Sequence, residues 1–158
     1  MGIQVLGDIG FAAAISLSAI GSALGTGTAG LAAIGAWKKC FAQERNAPFI
    51  LVAFVGAPLT QTIYGFILMN TIFDLGRQLA AGTVPASSYM ALLAAGLFGG
   101  LSIGASAFMQ GKAGASAADA LGETGKGFGF YIMVLGIVET VALFVMIFLM
   151  VTLNKLAV

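Results

Sequence analysis

The chain has 158 residues, 59% of them hydrophobic and only 8% charged, with a formal net charge of +1. A water-soluble domain carries roughly a quarter of its residues as charges, so this chain is expected to live in lipid. With no basic stripe, it is not expected to bind nucleic acid.

Four apolar stretches follow in order. They run from about Ile9 to Trp37, from about Pro48 to Leu75, from about Ser88 to Ala118 and from about Gly127 to Leu153. Each is long enough to cross a bilayer as a helix. Lipid offers no partners for free backbone groups, so helices are the economical solution, and the alternation of barrel strands is missing. The expectation is an all-α membrane protein with four transmembrane helices. Lys and Arg are absent before Lys38. The N-terminus therefore lacks the cationic region of a secretory signal, and the first stretch is read as retained.

The connections are short. Lys38, Lys39 and Arg45 lie between the first two helices. Lys112 and Lys126 are expected to flank the turn between the last two, with Asp119 and Glu123 among them. The middle loop, Gly76 to Ser87, carries only Arg77. This bias predicts cytoplasmic hairpin turns and external termini, in a multi-pass protein of the cell membrane.

The chain reads as two tandem helical hairpins, residues 1–78 and 79–158. Ser22, Ala23, Gly27, Ala29, Gly30 and Ala33 lie over Ser106, Ala107, Gly111, Ala113, Gly114 and Ala117. In the second and fourth helices Gln61 falls opposite Glu139, and Thr62 opposite Thr140. Gly21 and Gly25 form one GxxxG, and Gly100 and Gly104 another. Small residues let membrane helices approach closely. That suits either a tight bundle or the thin inner wall of a ring, and composition does not separate the two.

Polar residues are few and patterned. Ala57, Thr60, Gln61 and Tyr64 follow i, i+3, i+4, i+7 and share one helix face. Pro58 has no N–H and frees the carbonyl of Phe54 one turn earlier, which the pattern adds to a stripe of oxygens. Gln110 stands where Thr26 stands in the first hairpin. Glu139 is the sole charge in the last stretch, and an unpaired carboxylate there costs about 2.5–3.5 kcal/mol or more. It must be protonated, bind a cation or face a polar partner. Glu139 with Gln110, Gln61 and Thr60 forms the candidate site. A hard monovalent cation needs several oxygens, whereas proton carriage needs only the acid, so the surrounding amides and hydroxyls favour Na+ over H+. The alternative is that these groups bond one another and hold a protonated acid.

With no histidine and one cysteine, Cys40, neither zinc nor haem is expected. Without a GxxxxGK[ST] run no nucleotide is expected either, nor is any enzyme chemistry within the chain.

A-P-L-T-Q-T-I-Y-G, M-Q-G-K and V-E-T together resemble the rotor-ring proteolipid of V-type ATPases, most closely its bacterial sodium-pumping branch. The resemblance implies copies assembled into a closed ring and Na+ ligands at Thr60, Gln61, Gln110, Glu139 and the Ala57 backbone carbonyl. It implies a hydrogen bond from Tyr64 to the acid. It departs at Ala57 and Leu59, where the sodium-type pattern has leucine and glycine. The partners implied are a stator subunit of the membrane sector, a central-shaft subunit at the cytoplasmic turns, and lipid. One acid per four helices implies few ions per turn, biasing such a ring towards ATP-driven export. The competing classes are a proton-carrying ring, a self-contained channel or transporter, and a structural membrane protein.

Overall fold

A computed structural model describes residues 4–82 and 85–157; Thr83 and Val84 of the expected middle loop lie outside them. Helix α1 spans Gln4–Ala42. The second span, Phe49–Ala80, comprises a 3-10 turn Phe49–Leu51, helix α2 (Val52–Gly56), a 3-10 turn Ala57–Leu59 and helix α3 (Thr60–Ala80). Helix α4 covers Tyr89–Thr124 and α5 covers Phe128–Asn154. Among the described residues four spans are thus long and apolar enough to cross a membrane. The division expected after residue 78 falls in the last turns of α3.

All the spans but α5 outrun the apolar stretches that announce them. Helix α1, with 39 residues, is about 58 Å long against a hydrocarbon core of about 30 Å. The extra turns carry charges, which suit a helix in water as well as apolar residues suit one in lipid. Lys39 bridges Asp119 at 3.1 Å and Glu123 at 3.0 Å, fastening the last turns of α1 to those of α4. Gly125 ends α4 in the left-handed region, φ 67°, and Gly127 opens α5 with φ 93°. Only glycine takes that backbone without strain, which is why this connection is so tight.

Glycine decides the packing. The buried stripe of α1 runs through Gly7, Gly10, Ala14, Ser18, Gly21, Gly25, Ala29, Ala33, Ala36 and Cys40. It advances 33 residues in nine steps, about 3.67 per step, the period of a slightly right-handed supercoil. The matching stripe on α4 includes Gly96, Gly100, Gly104, Gly111 and Gly122. A Cβ on Gly21 would overlap Gly104, one on Gly111 would overlap Gly25, and one on Gly96 would overlap Gly10. Backbone therefore meets backbone along almost the whole of α1 and α4, the most extensive contact in the molecule. Helices α3 and α5, rich in Phe, Ile, Leu and Met, meet over a much shorter run. They leave Phe66, Phe73, Ile137, Phe144 and Phe148 exposed, a surface fit for lipid. The chain is a wedge, tight along α1 and α4 and splayed along α3 and α5.

Both hairpin turns lie at one end, held by the Lys39 bridges, while Gly7 meets Tyr89 at the other. The two hairpins therefore run parallel. The placing of Lys112 needs correction. It lies inside α4, twelve residues before its end, with its ammonium 4.6 Å from the Phe108 ring centroid, so it does not flank the turn. The end with the turns still holds Lys38, Lys39, Arg45 and Lys126 against Arg77 and Lys155 at the other.

Replacing Gly104 by leucine should destabilise the protein by about 3 kcal/mol or more, since the facing backbone cannot yield. A Cβ on Gly35 meets nothing within 4 Å, and Gly35→Ala should leave stability unchanged or slightly raised. Thermal melts of the detergent-solubilised protein check both.

Candidate functional site: a carboxylate pocket between three helices

The site starts at Pro58. Lacking an N–H, proline cannot continue the α-helical ladder, and the chain tightens into the Ala57–Leu59 turn. That turn aims the Ala57 carbonyl at Thr60, whose backbone N–H and hydroxyl both reach it, the hydroxyl at 3.0 Å. Thr60 Oγ1 also stands 3.1 Å from Gln61 Oε1. Three oxygens, from Ala57, Thr60 and Gln61, therefore cluster at one point of the second span. The Phe54 carbonyl does not join them, contrary to the sequence expectation. It lies against Gly114, where a Cβ would stand 2.9 Å from it. A side chain at 114 would forbid this close approach.

From this cluster a chain of hydrogen bonds crosses to α5. Gln61, fully buried on α3, donates its amide N–H to Gln110 Oε1 at 2.8 Å. Gln110, fully buried on α4, donates to the Leu135 carbonyl at 2.9 Å and to Glu139 Oε2 at 3.3 Å. Tyr64, one turn beyond Gln61, donates its hydroxyl to Glu139 Oε1 at 2.7 Å. Glu139 is half-buried, the twelfth residue of the 27-residue α5. All six residues expected at the site, Ala57, Thr60, Gln61, Tyr64, Gln110 and Glu139, are joined in one network. Sequence reasoning missed Ser106, whose hydroxyl reaches the Val138 carbonyl at 2.9 Å, and the Leu135 carbonyl. Ser106 could have been found from its place in the repeat opposite Ser22.

The electrostatics follow from the donors. Tyr64 and Gln110 both approach Glu139 as donors, one at each carboxylate oxygen. Each oxygen of the Glu139 carboxyl thus has one polar neighbour from another helix. An acid in an apolar span calls for a proton or a positive counterpart. The oxygen cluster at Ala57, Thr60 and Gln61 sits one amide away. Gln110, whose oxygen accepts from Gln61 and whose nitrogen reaches Glu139, bridges that cluster and the acid. Among the described residues no group of three or more His, Cys, Asp or Glu exists, so the donor set is one carboxylate with neutral oxygens. Such a set fits a hard, singly charged ion.

Fold and site thus define a class: a four-span membrane protein that buries one carboxylate among amides and hydroxyls at mid-helix. Residues 93–152 match the family model of the ATP synthase C subunit. The chain is also 29% identical, over 140 residues, to the A-type ATP synthase subunit K of Methanocaldococcus jannaschii. That alignment covers 89% of this chain and 58% of the relative, so the chain spans a little over half the length of the protein it matches. By both findings the chain is similar to the C and K subunits of ATP synthases.

Replacing Gln61 by leucine leaves the Gln110 oxygen buried without its donor. That should cost about 1–3 kcal/mol, read as a fall in melting temperature. The double change Gln61→Leu with Gln110→Leu should cost less than the sum of the two single changes, since both ends of one bond are then removed.

Proposed function

We propose that this chain is the ion-carrying subunit of a rotor ring in the membrane sector of a V-type ATPase. In this reading it translocates Na+ across the membrane, coupled to ATP hydrolysis by the soluble sector. The observation that carries the reading is a carboxylate met by donors at both oxygens, beside three clustered oxygens, at mid-depth of an apolar helix. The ion takes the Ala57 carbonyl, Thr60 hydroxyl and Gln61 oxygen on one side and Glu139 on the other, with the Gln110 oxygen as a further ligand. Tyr64 holds the second carboxylate oxygen without touching the ion. The loaded site is neutral, so it crosses lipid at far lower cost than a bare carboxylate.

The wedge supports assembly into a ring. Helices α1 and α4, thinned by glycine, form the inner wall, and the bulkier α3 and α5 form the wider outer wall. Glu139 then faces outward, where a stator subunit discharges it. Each charge moved against the membrane potential needs about 2.3 kcal/mol per 100 mV, supplied by ATP hydrolysed elsewhere. The two turns, placed in the cytoplasm by the positive bias, grip the central shaft. The Lys39 bridges to Asp119 and Glu123 make them one unit. The chain itself performs no catalysis.

Proton carriage is the second reading, and one observation favours it: Gln61, Gln110, Tyr64 and Glu139 already satisfy one another without an ion. A carbodiimide separates the two, because it modifies the protonated acid. Labelling of Glu139 in the assembled ring should fall steeply when millimolar sodium is added at neutral pH, and acid should restore it. Equal labelling with and without sodium assigns the site to protons. Glu139→Gln should abolish labelling and transport while the ring still assembles, since the two side chains share a shape.

A further inference from the structure

The first hairpin has its own polar pair, and neither member has found a partner. Ser22 Oγ and Thr26 Oγ1 are buried without a hydrogen bond among the described residues, and Ser22 is 2% exposed. The other two hydroxyls of this stretch of α1 behave differently. Ser18 donates to the Ala14 carbonyl and Thr28 to the Leu24 carbonyl, each at 2.7 Å, the usual resort of a hydroxyl inside a helix. Ser22 and Thr26 have turned away from that option, and an unpaired buried hydroxyl is costly.

The internal repeat says what they face. The register that lays Ser22 over Ser106 lays Thr26 over Gln110, and the one that lays Gln61 over Glu139 lays Ala57 over Leu135 and Thr60 over Val138. In the second hairpin Ser106 reaches the Val138 carbonyl and Gln110 reaches the Leu135 carbonyl. The corresponding targets in the first hairpin are the carbonyls of Thr60 and Ala57. Packing agrees: a Cβ on Gly25, next to Thr26, would stand 3.0 Å from Pro58 Cβ, so this turn of α1 lies on the Ala57–Leu59 turn. Threonine is shorter than glutamine and falls short where Gln110 arrives.

We infer that an ordered water molecule satisfies this pair, bound by the Ser22 and Thr26 hydroxyls and donating to the Ala57–Thr60 turn. Side chains at i and i+4 stand about 6 Å apart, a span that one water bridges. No carboxylate lies there to balance a cation, so the ligand is neutral. Water of this kind is structural, bound by two to four polar groups. Thr26 and Ser22 are positioning residues: through the water they hold the turn that aims the Ala57 carbonyl. That last role rests on the ion site proposed above, whereas the water itself does not.

The test is a structure of the purified ring at a resolution that shows water, with melting curves of two variants. Density within hydrogen-bond distance of both hydroxyls is expected. Thr26→Gln should remove that density, its amide taking the water's place, and keep the wild-type melting temperature. Thr26→Val should lower the melting temperature by a few degrees. Hydroxyls turned onto the Ser18 and Ser22 carbonyls with no density between them overturn the inference, as does a Thr26→Val ring that melts at or above wild type. Sodium-independent carbodiimide labelling would remove the ion reading and leave the density untouched, so the two failures are distinguishable.

Discussion

One negative charge in a wall of hydrocarbon is the constraint to which the rest of this molecule answers. Glu139 has no cation within its own helix, and α5 offers it only apolar neighbours and a threonine whose hydroxyl is spent on the Ile137 carbonyl. Its partners must come from other helices, and they do: Tyr64 from α3 and Gln110 from α4. Gln110 in turn is oriented by Gln61, and Gln61 sits beside the Pro58 turn. A disturbance anywhere along this line reaches the carboxylate.

Such a line works only if three helices hold their spacing, and here glycine enters. The contact of α1 with α4 brings backbone against backbone at Gly21 and Gly104 and at Gly25 and Gly111. Interhelical distance there is set by main chain, which has no rotamers to relax. The second span rests on the same scaffold, with Pro58 against Gly25 and the Phe54 carbonyl against Gly114. Helix α5 is held differently, by apolar packing and by Gln110 and Ser106 reaching its carbonyls at Leu135 and Val138. The polar site is therefore part of what docks the helix that carries the acid. The proposed carrier exploits this: the groups that would hold the ion also keep the outer helix in register.

The two hairpins divide the labour unequally. Gln61 occupies the acid's position in the first hairpin yet donates into the second hairpin's site. The first hairpin's hydroxyls at Ser22 and Thr26 take no part in that site. One repeat has become an arm of the other's site. That accounts for a single carboxylate serving four helices.

Much of this was legible in the residues. Four helices follow from apolar length alone, because a bilayer imposes its thickness on any chain that crosses it. The face shared by Ala57, Thr60, Gln61 and Tyr64 follows from helical period, and the importance of Glu139 from the cost of its charge. Tertiary structure decided what period and cost cannot reach. It turned the Phe54 carbonyl to Gly114, since the side of the helix on which a freed oxygen finds room depends on the neighbour. It placed Lys112 on an exposed face deep within α4, because charge in a sequence does not report where a helix ends. It also decided which groups reach Glu139, Tyr64 and Gln110, a choice made by how the helices pack. The sequence by itself determined which groups had to be satisfied. Only packing, fixed by close glycine contacts between distant segments, determined by whom.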